Sequence, residues 1–269
     1  MHFDEIMAQW QQTTDNNICI PSNWAQGRTV YGGLTAALIY QKMNQTVQEN
    51  RPDENRPIRY FDLSYIGPLM VGEPVNIEVQ LLRAGRSASQ LVAYVKQQDK
   101  VCVIGQACFG IDRSSKVTVK KQINHELTVP KKANFIPQIP KVTPKFLRHM
   151  DINLQAGRLP FMHSKKDYLH GWMRFKKEVN SFNDAHLIAL IDAWPCTVLQ
   201  QLKLPAMAST MNWNLQLTQS ASNTEPSQWL AYQATTAHAA DGYVFGEAKI
   251  SNEAGELLSL SRQTVGVFT

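Results

Sequence analysis

Asp192 stands in the most apolar stretch of the second half of the chain, Asp184-Ala185-His186-Leu187-Ile188-Ala189-Leu190-Ile191-Asp192-Ala193-Trp194. A carboxylate in such surroundings needs a hydrogen-bonded partner or carries a heavy desolvation cost. Pro195 follows three residues later and has no N–H to offer the carbonyl of Ile191, so it loosens the helix beside Asp192. Gln263 lies between Leu260 and Val265 in a run otherwise suited to burial, and a buried amide also asks for a polar partner. Thr210 sits at the start of another strand-like run. Asp192 is the only strong base of the three; a hydroxyl and an amide can each hold a water and fix its direction. Being neutral, they do not lock the carboxylate in a salt bridge that would lower its basicity. Ordinary readings stand beside this one. Asp192 fits a helix-kink residue capping the amides of the next segment, and Thr210 and Gln263 fit solvent-facing or ladder positions. Gly32-Gly33, at the start of a first apolar helix, allows close backbone approach to a ligand or simple helix–sheet packing.

The elements that must position these residues repeat along the chain. The first half opens with a mostly buried helix from the glycine pair, Leu34 to Ile39 being apolar and Gln41 onward polar. Four strand-like runs follow, Ile58 to Ile66, Val75 to Arg83, Ser87 to Gln97 and Val101 to Ile111, with short joints at Ala84-Gly85-Arg86 and Gln98-Asp99-Lys100. The second half begins with a weaker strand, His170 to Phe175, then a helical segment from Asp184 to about Leu202. Strands are expected at Ala208 to Leu217, Trp229 to Ala237, Gly242 to Ile250 and Leu257 to Val267. The closing segments Gln106-Ala107-Cys108-Phe109-Gly110-Ile111 and Gln263-Thr264-Val265-Gly266-Val267-Phe268 can be laid side by side. A unit of this size is a duplicated domain rather than a repeat array. A long helix wrapped by a curved antiparallel sheet is the hotdog arrangement, so the expected fold is α+β, a double hotdog. The expected boundaries are 1–113, a linker at 114–147, and 148–269. The linker is marked by Pro130, Pro137, Pro140 and Pro144 and by a solvated series, Lys116, Lys120, Lys121, Lys131, Lys132, Lys141 and Lys145.

Composition narrows the function classes. Hydrophobic residues are 43% and charged residues 18% of 269, enough for a sizeable core and against disorder. Cys19, Cys102, Cys108 and Cys196 have no close pair, which argues against a disulfide scaffold or a cysteine zinc site. His2, His125, His149, His163, His170, His186 and His238 form no i, i+4 ligand pair, and His186 is expected at the surface, off the Asp192 face. There is no G-x-S-x-G, H-E-x-x-H, G-x-x-x-x-G-K-[ST] or G-x-G-x-x-G motif, and no metal or cofactor is implied. Trp172, Trp194, Trp213 and Trp229 suit a core better than an acyl pocket. The net charge of +5 permits an anionic partner such as a phosphate-bearing small molecule. Met1-His2-Phe3-Asp4-Glu5 has no signal-peptide character and no apolar run reaches membrane-span length, so a soluble cytoplasmic protein is expected.

On these residues the chain resembles the double-hotdog acyl-CoA thioesterases of the thioesterase II type. In the first half the resemblance rests on Val30-Tyr31-Gly32-Gly33, Pro68 and Leu82-Arg83-Ala84-Gly85-Arg86-Ser87. In the second it rests on Asp192, Ser209-Thr210-Met211-Asn212 and Gln263. It departs from the family where an Asp-His pair usually follows the catalytic Thr; this chain has Asn212-Trp213. The resemblance implies a hydrolytic site of Asp192, Thr210 and Gln263 acting on an acyl-CoA substrate. Gly32-Gly33 would supply backbone oxyanion donors, with the acyl chain in an apolar tunnel between the two helices. Arg83 and Arg86, on a flexible hairpin, would offer guanidinium forks to the phosphates of CoA.

Rival readings are a hotdog hydratase, a non-catalytic acyl-CoA or acyl-carrier-protein binding hotdog, and a nucleic-acid binder. A hydratase needs an Asp and a His a few residues apart on the hotdog helix, which neither Leu34 to Met43 nor Ala193 to Leu202 supplies. A purely binding hotdog has no need of Asp192. The basic residues gather in the linker and no recognition motif appears, which argues against nucleic acid. A membrane partner is not expected, and a homo-oligomer is compatible with the sequence.

Overall fold

The computed structural model describes residues 1–120, 122–123, 125–139 and 142–269, so Lys121, Pro140 and Lys141 of the expected linker lie outside the described residues. Helix α1 (Phe3–Gln12) is amphipathic and buries Phe3, Ile6, Met7 and Trp10. Three short strands follow, β1 (Asn17–Cys19), β2 (Ala25–Gln26) and β3 (Thr29–Val30). Helix α2 (Gly32–Asn50) is buried all round from Gly33 to Tyr40 and turns polar beyond. Strands β4 (Ile58–Tyr65), β5 (Pro74–Ala84), β6 (Ala88–Gln97) and β7 (Lys100–Gly110) complete the first half. The second half has β8 (Met150–Ala156), β9 (Tyr168–Phe175), α3 (Asp184–Ile191), β10 (Met207–Leu217), β11 (Leu230–Ala240), β12 (Tyr243–Ser251) and β13 (Leu257–Phe268).

Eleven strands form one antiparallel sheet in the order β1-β5-β6-β7-β4-β10-β13-β12-β11-β9-β8. The expected double hotdog is the fold observed. The halves join where β4 pairs with β10 through Asp62↔Asn214, and α2 and α3 pack on each other. Alternation along the strands turns one face to the helices; Phe61, Leu63, Trp213 and Leu215 are fully buried there. Among the described residues no helix is long and apolar enough to cross a membrane.

Through the helices and the central strand pair the two halves correspond at an offset of 152. Ala37-Leu38-Ile39-Tyr40 in α2 matches Ala189-Leu190-Ile191-Asp192 in α3 (189 − 37), and Asp62 matches Asn214 across the central pair (214 − 62). Both halves carry a β-bulge at the matching place, Arg59 in β4 and Met211 in β10. Gln263 pairs with Trp213, while Phe61, the counterpart of Trp213, pairs with Ala107. The closing segments therefore align one residue away from the expected match. Gln106 pairs with Asp62 and is exposed, as Arg262 pairs with Asn214, and the helix-facing residue that matches Gln263 is Ala107. A one-residue slip in a strand exchanges its two faces.

Other differences have local causes. The helix expected to run to Leu202 stops at Ile191, with Asp192 at its C-cap, and resumes only as a 3-10 turn at Thr197–Gln201. Pro195 lies in this break, and as the sequence suggests it cannot continue the hydrogen-bond ladder. His186, expected at the surface, is buried; it meets Asp4 Oδ1 at 2.8 Å and Asn183 Oδ1 at 2.9 Å. It thereby ties α1 to α3. In the segment between β7 and β8, Lys116, Lys120, Lys131, Lys132 and Lys145 are exposed, but Phe135 tucks against Trp194.

Candidate active site

Tyr40 in α2 and the matching Asp192, at the C-cap of α3, each meet the first turn of the other helix. Tyr40 Oη donates to Asp184 Oδ2 at 3.2 Å. In the matching place, the Asp192 carboxylate lies at the start of α2, where a Cβ added to Gly32 would come 2.9 Å from Asp192 Oδ2. Gln263 reaches across from β13 and its Nε2 donates to Asp192 Oδ1 at 2.9 Å. A carboxylate and an amide 71 positions apart (263 − 192) are thus brought together by the fold.

Burial pushes the Asp192 pKa up to about 7; the Gln263 hydrogen bond and the Gly33 N–H facing the carboxylate oppose this without cancelling it. The residue as a whole is half-buried. Tyr31, Tyr65 and Tyr232 surround the carboxylate, and burial, reinforced by the Asp192 charge, holds each phenol above its ordinary pKa. Tyr65 Oη donates to the carbonyl of Gly32 at 3.1 Å, and Tyr31 Oη donates to the carbonyl of Ala189.

Thr210 is on the same sheet face as Gln263. It pairs with Val265, two positions along β13 from Gln263, and the bulge at Met211 keeps Thr210 and Trp213 on one side although they are three residues apart. Diagonal neighbours of this kind stand roughly 7 Å apart, within the span of one water. Thr210 makes no direct hydrogen bond to Asp192 or Gln263.

The glycine pair divides its work. Gly32 leaves room for the Asp192 head, whereas a Cβ on Gly33 would meet the Tyr31 ring at 2.6 Å and the Ala189 carbonyl at 2.7 Å, so Gly33 serves helix–helix approach. In the unliganded site the Gly33 N–H faces Asp192 rather than an open oxyanion position.

Arg83 and Arg86 are exposed and are not brought to this site. Arg83 pairs with Gln90, three residues (93 − 90) along β6 from Ala93, which shares the register of Leu63 and Trp213, and Arg86 stands in the turn beyond. Across the sheet β6 is four strands from β13, roughly 19 Å at the usual spacing. Nor is the hairpin a free joint. Buried Arg56 donates to the carbonyls of Gly85 and Arg86 and to Ser89 Oγ, and pairs with Glu54.

A small cavity adjoins Gln263, lined by Cys196, Thr197, Tyr232, Ala248, Ser261 and Val265 among others. It lies between the helix break at Pro195 and the sheet, rather than between the two helices as expected for an acyl tunnel. In the first half α2 runs on to Asn50 past the matching point. All four tryptophans named from the sequence are buried; Trp194 stacks on Tyr232 with ring centroids 4.9 Å apart.

Profiles of known families account for both halves. The acyl-CoA thioesterase N-terminal domain matches residues 20–110 and the acyl-CoA thioesterase C-terminal domain matches residues 128–267. The chain belongs to the acyl-CoA thioesterase family. A protein of unknown function with a hot dog fold from Alicyclobacillus acidocaldarius is 20% identical, with a TM-score of 0.82 over 99% of this chain and 98% of that one. The tesB protein of Mycobacterium avium subs paratuberculosis is 16% identical, with a TM-score of 0.74 over 99% and 100%. Acyl-CoA thioesterase II TesB2 from Mycobacterium marinum is 15% identical, with a TM-score of 0.70 over 90% of each chain. At these identities the likeness is one of fold. No curated protein matches the sequence.

Within this thioesterase-family chain the site occurs once. The counterparts of Asp192, Thr210 and Gln263 in the first half are Tyr40, Ile58 and Ala107, and Gly32 is answered by Asp184. There the carboxylate is that of Asp184, held by Tyr40 Oη and the Ala221 N–H, and neither a threonine hydroxyl nor a glutamine amide stands at the matching positions. Sequence reasoning passed over Tyr65 and Tyr232; the period-2 burial of Leu230, Tyr232 and Ala234 is the signal that would have turned Tyr232 inward.

Proposed function

We propose that the protein hydrolyses acyl-CoA to a free acid and CoA, with Asp192 as general base. The observation that carries this reading is the Asp192–Gln263 pair at 2.9 Å beside the first turn of α2. A carboxyl near pKa 7 can take a proton from water and return it at neutral pH. Gln263 holds one carboxylate oxygen, and Thr210, across about one water, completes the cradle that aims the nucleophile. The water oxygen bonds to the thioester carbon as its proton passes to Asp192. The tetrahedral intermediate then expels the CoA thiolate, which takes up that proton. The oxyanion falls to the first turn of α2, whose dipole favours negative charge, through N–H groups other than that of Gly33, which faces Asp192.

The test is the pH dependence of kcat/KM for acyl-CoA hydrolysis, followed by thiol release. The rate rises with pH through about 7 and then levels, because only the ionised Asp192 is a base. A profile flat from pH 5 to 9 overturns the assignment of Asp192 as base.

A further inference from the structure

We infer that Tyr232 is a further catalytic residue, its phenol hydroxyl donating a hydrogen bond to the carbonyl oxygen of the thioester. The inference rests on the proposed hydrolase reading and adds a side-chain donor to it. Three tyrosines surround Asp192, and two have committed their hydroxyls. Tyr65 donates to the Gly32 carbonyl at 3.1 Å, and Tyr31 donates to the Ala189 carbonyl. Tyr232 is only 8% exposed, yet among the described residues its hydroxyl has no partner. A buried hydroxyl that the protein leaves unpaired is one held for a ligand or a water.

The ring is held in place. Tyr232 pairs with Gly171 on β9, whose missing side chain makes room for Trp194; a Cβ there would come 2.8 Å from the Trp194 ring. Trp194 in turn stacks on Tyr232 with the ring planes 4° apart. Tyr232 lines the cavity that Gln263, Cys196 and Thr197 also line. Burial, with the Asp192 charge and the Cys196 thiol nearby, holds the phenol above its ordinary pKa. The hydroxyl therefore keeps its proton at any working pH, which makes it a donor and not a second base.

Sheet order gives this donor its own side of the site. Thr210 on β10 stands beyond one edge of β13, and Tyr232 on β11 stands beyond the other. The first half has no such donor. Four positions before Gln263, Ser259 pairs with Ile250, which pairs with Tyr232. Four positions before Ala107, Val103 pairs with Val95, which pairs with Ile77, a fully buried hydrocarbon. Packing alone does not call for a hydroxyl at this place. In the reaction, the water oxygen bonds to the thioester carbon and the carbonyl pair moves on to oxygen. Tyr232, beside the N–H groups of α2, stabilises that charge without giving up its proton. When the carbonyl re-forms, the C–S bond breaks and its pair leaves on the CoA sulfur, which takes the proton from Asp192.

The test is Tyr232→Phe, which keeps the ring and its stack on Trp194. Thiol release from butyryl-CoA should show kcat lowered about 10²–10³-fold, with the Michaelis constant within about threefold and little change in Tm. A readout without turnover is the infrared carbonyl band of butyryl-CoA, isotope-labelled at the carbonyl carbon and bound to Asp192→Asn. The band should fall in frequency on binding, and most of that fall should vanish when Tyr232→Phe is added. Native kcat in Tyr232→Phe, or a band that the second change leaves in place, overturns the inference. If the native protein releases no thiol while the band still depends on Tyr232, the hydrolase reading fails and the hydrogen bond stands.

Discussion

Replacing Asp192 by Asn should stabilise the protein at alkaline pH while removing its activity. Burial raises the Asp192 pKa from 3.8 to about 7, opposed in part by Gln263 and Gly33. An acid whose folded pKa lies above its unfolded value holds its proton more tightly when folded. Stability from this group is therefore fully present below about pH 4 and is lost as pH rises towards 7. At 1.36 kcal/mol per unit, the ionised form costs the folded state up to about 4 kcal/mol at pH 8. An unfolding entropy of about 2.1 cal/mol/K per residue over 269 residues converts this to about 7 °C in Tm. Asn keeps an oxygen to accept from Gln263 and carries no charge. Thermal unfolding of both proteins from pH 4 to 9 should give nearly equal Tm at pH 4 and a widening gain for Asp192→Asn up to about 7 °C at pH 8. A difference that stays constant across the range would refute the buried, neutral-partner environment from which the base strength is argued.

Four further outcomes follow from the same geometry. Gly32→Ala presses on Asp192 Oδ2 and should lower kcat about 10- to 100-fold with little change in Tm, because a displaced base costs rate before fold. Gly33→Ala presses on Tyr31 and the Ala189 carbonyl instead and should cost about 1–3 kcal/mol in denaturant unfolding. Arg56→Ala leaves the Gly85 and Arg86 carbonyls and Ser89 Oγ without their donor and should cost roughly 3 kcal/mol by the same measurement. The Arg83→Ala, Arg86→Ala double variant should change the Michaelis constant for acyl-CoA less than about twofold, since their hairpin lies about four strand spacings across the sheet from Gln263.

The eight strands after the two helices are legible in the sequence because alternation and turn residues mark them to within three residues at either end. β8 and the short β1–β3 are not, being too brief or too irregular to carry a period. Asp192 announces itself as a carboxylate in an apolar run beside a proline, and the structure provides the amide partner that such a group requires. The neighbours that matter to it, Tyr65 and Tyr232, come from two strands far apart in the chain, and only the fold brings them near. Arg83 and Arg86 mislead for the opposite reason. Their residue type suits phosphate, but the strand length that separates them from Asp192 cannot be seen in a six-residue motif. His186 was expected outside because α1, the helix that covers it, has no visible tie to the second half; that tie is Asp4.

The most direct test is thiol release from butyryl-CoA by the native protein, Asp192→Asn and Gln263→Ala at pH 8. The account predicts turnover by the native protein, a loss of about 10²–10⁴-fold in Asp192→Asn and a smaller loss of about 10- to 100-fold in Gln263→Ala. Thiol release by Asp192→Asn equal to that of the native protein would contradict it.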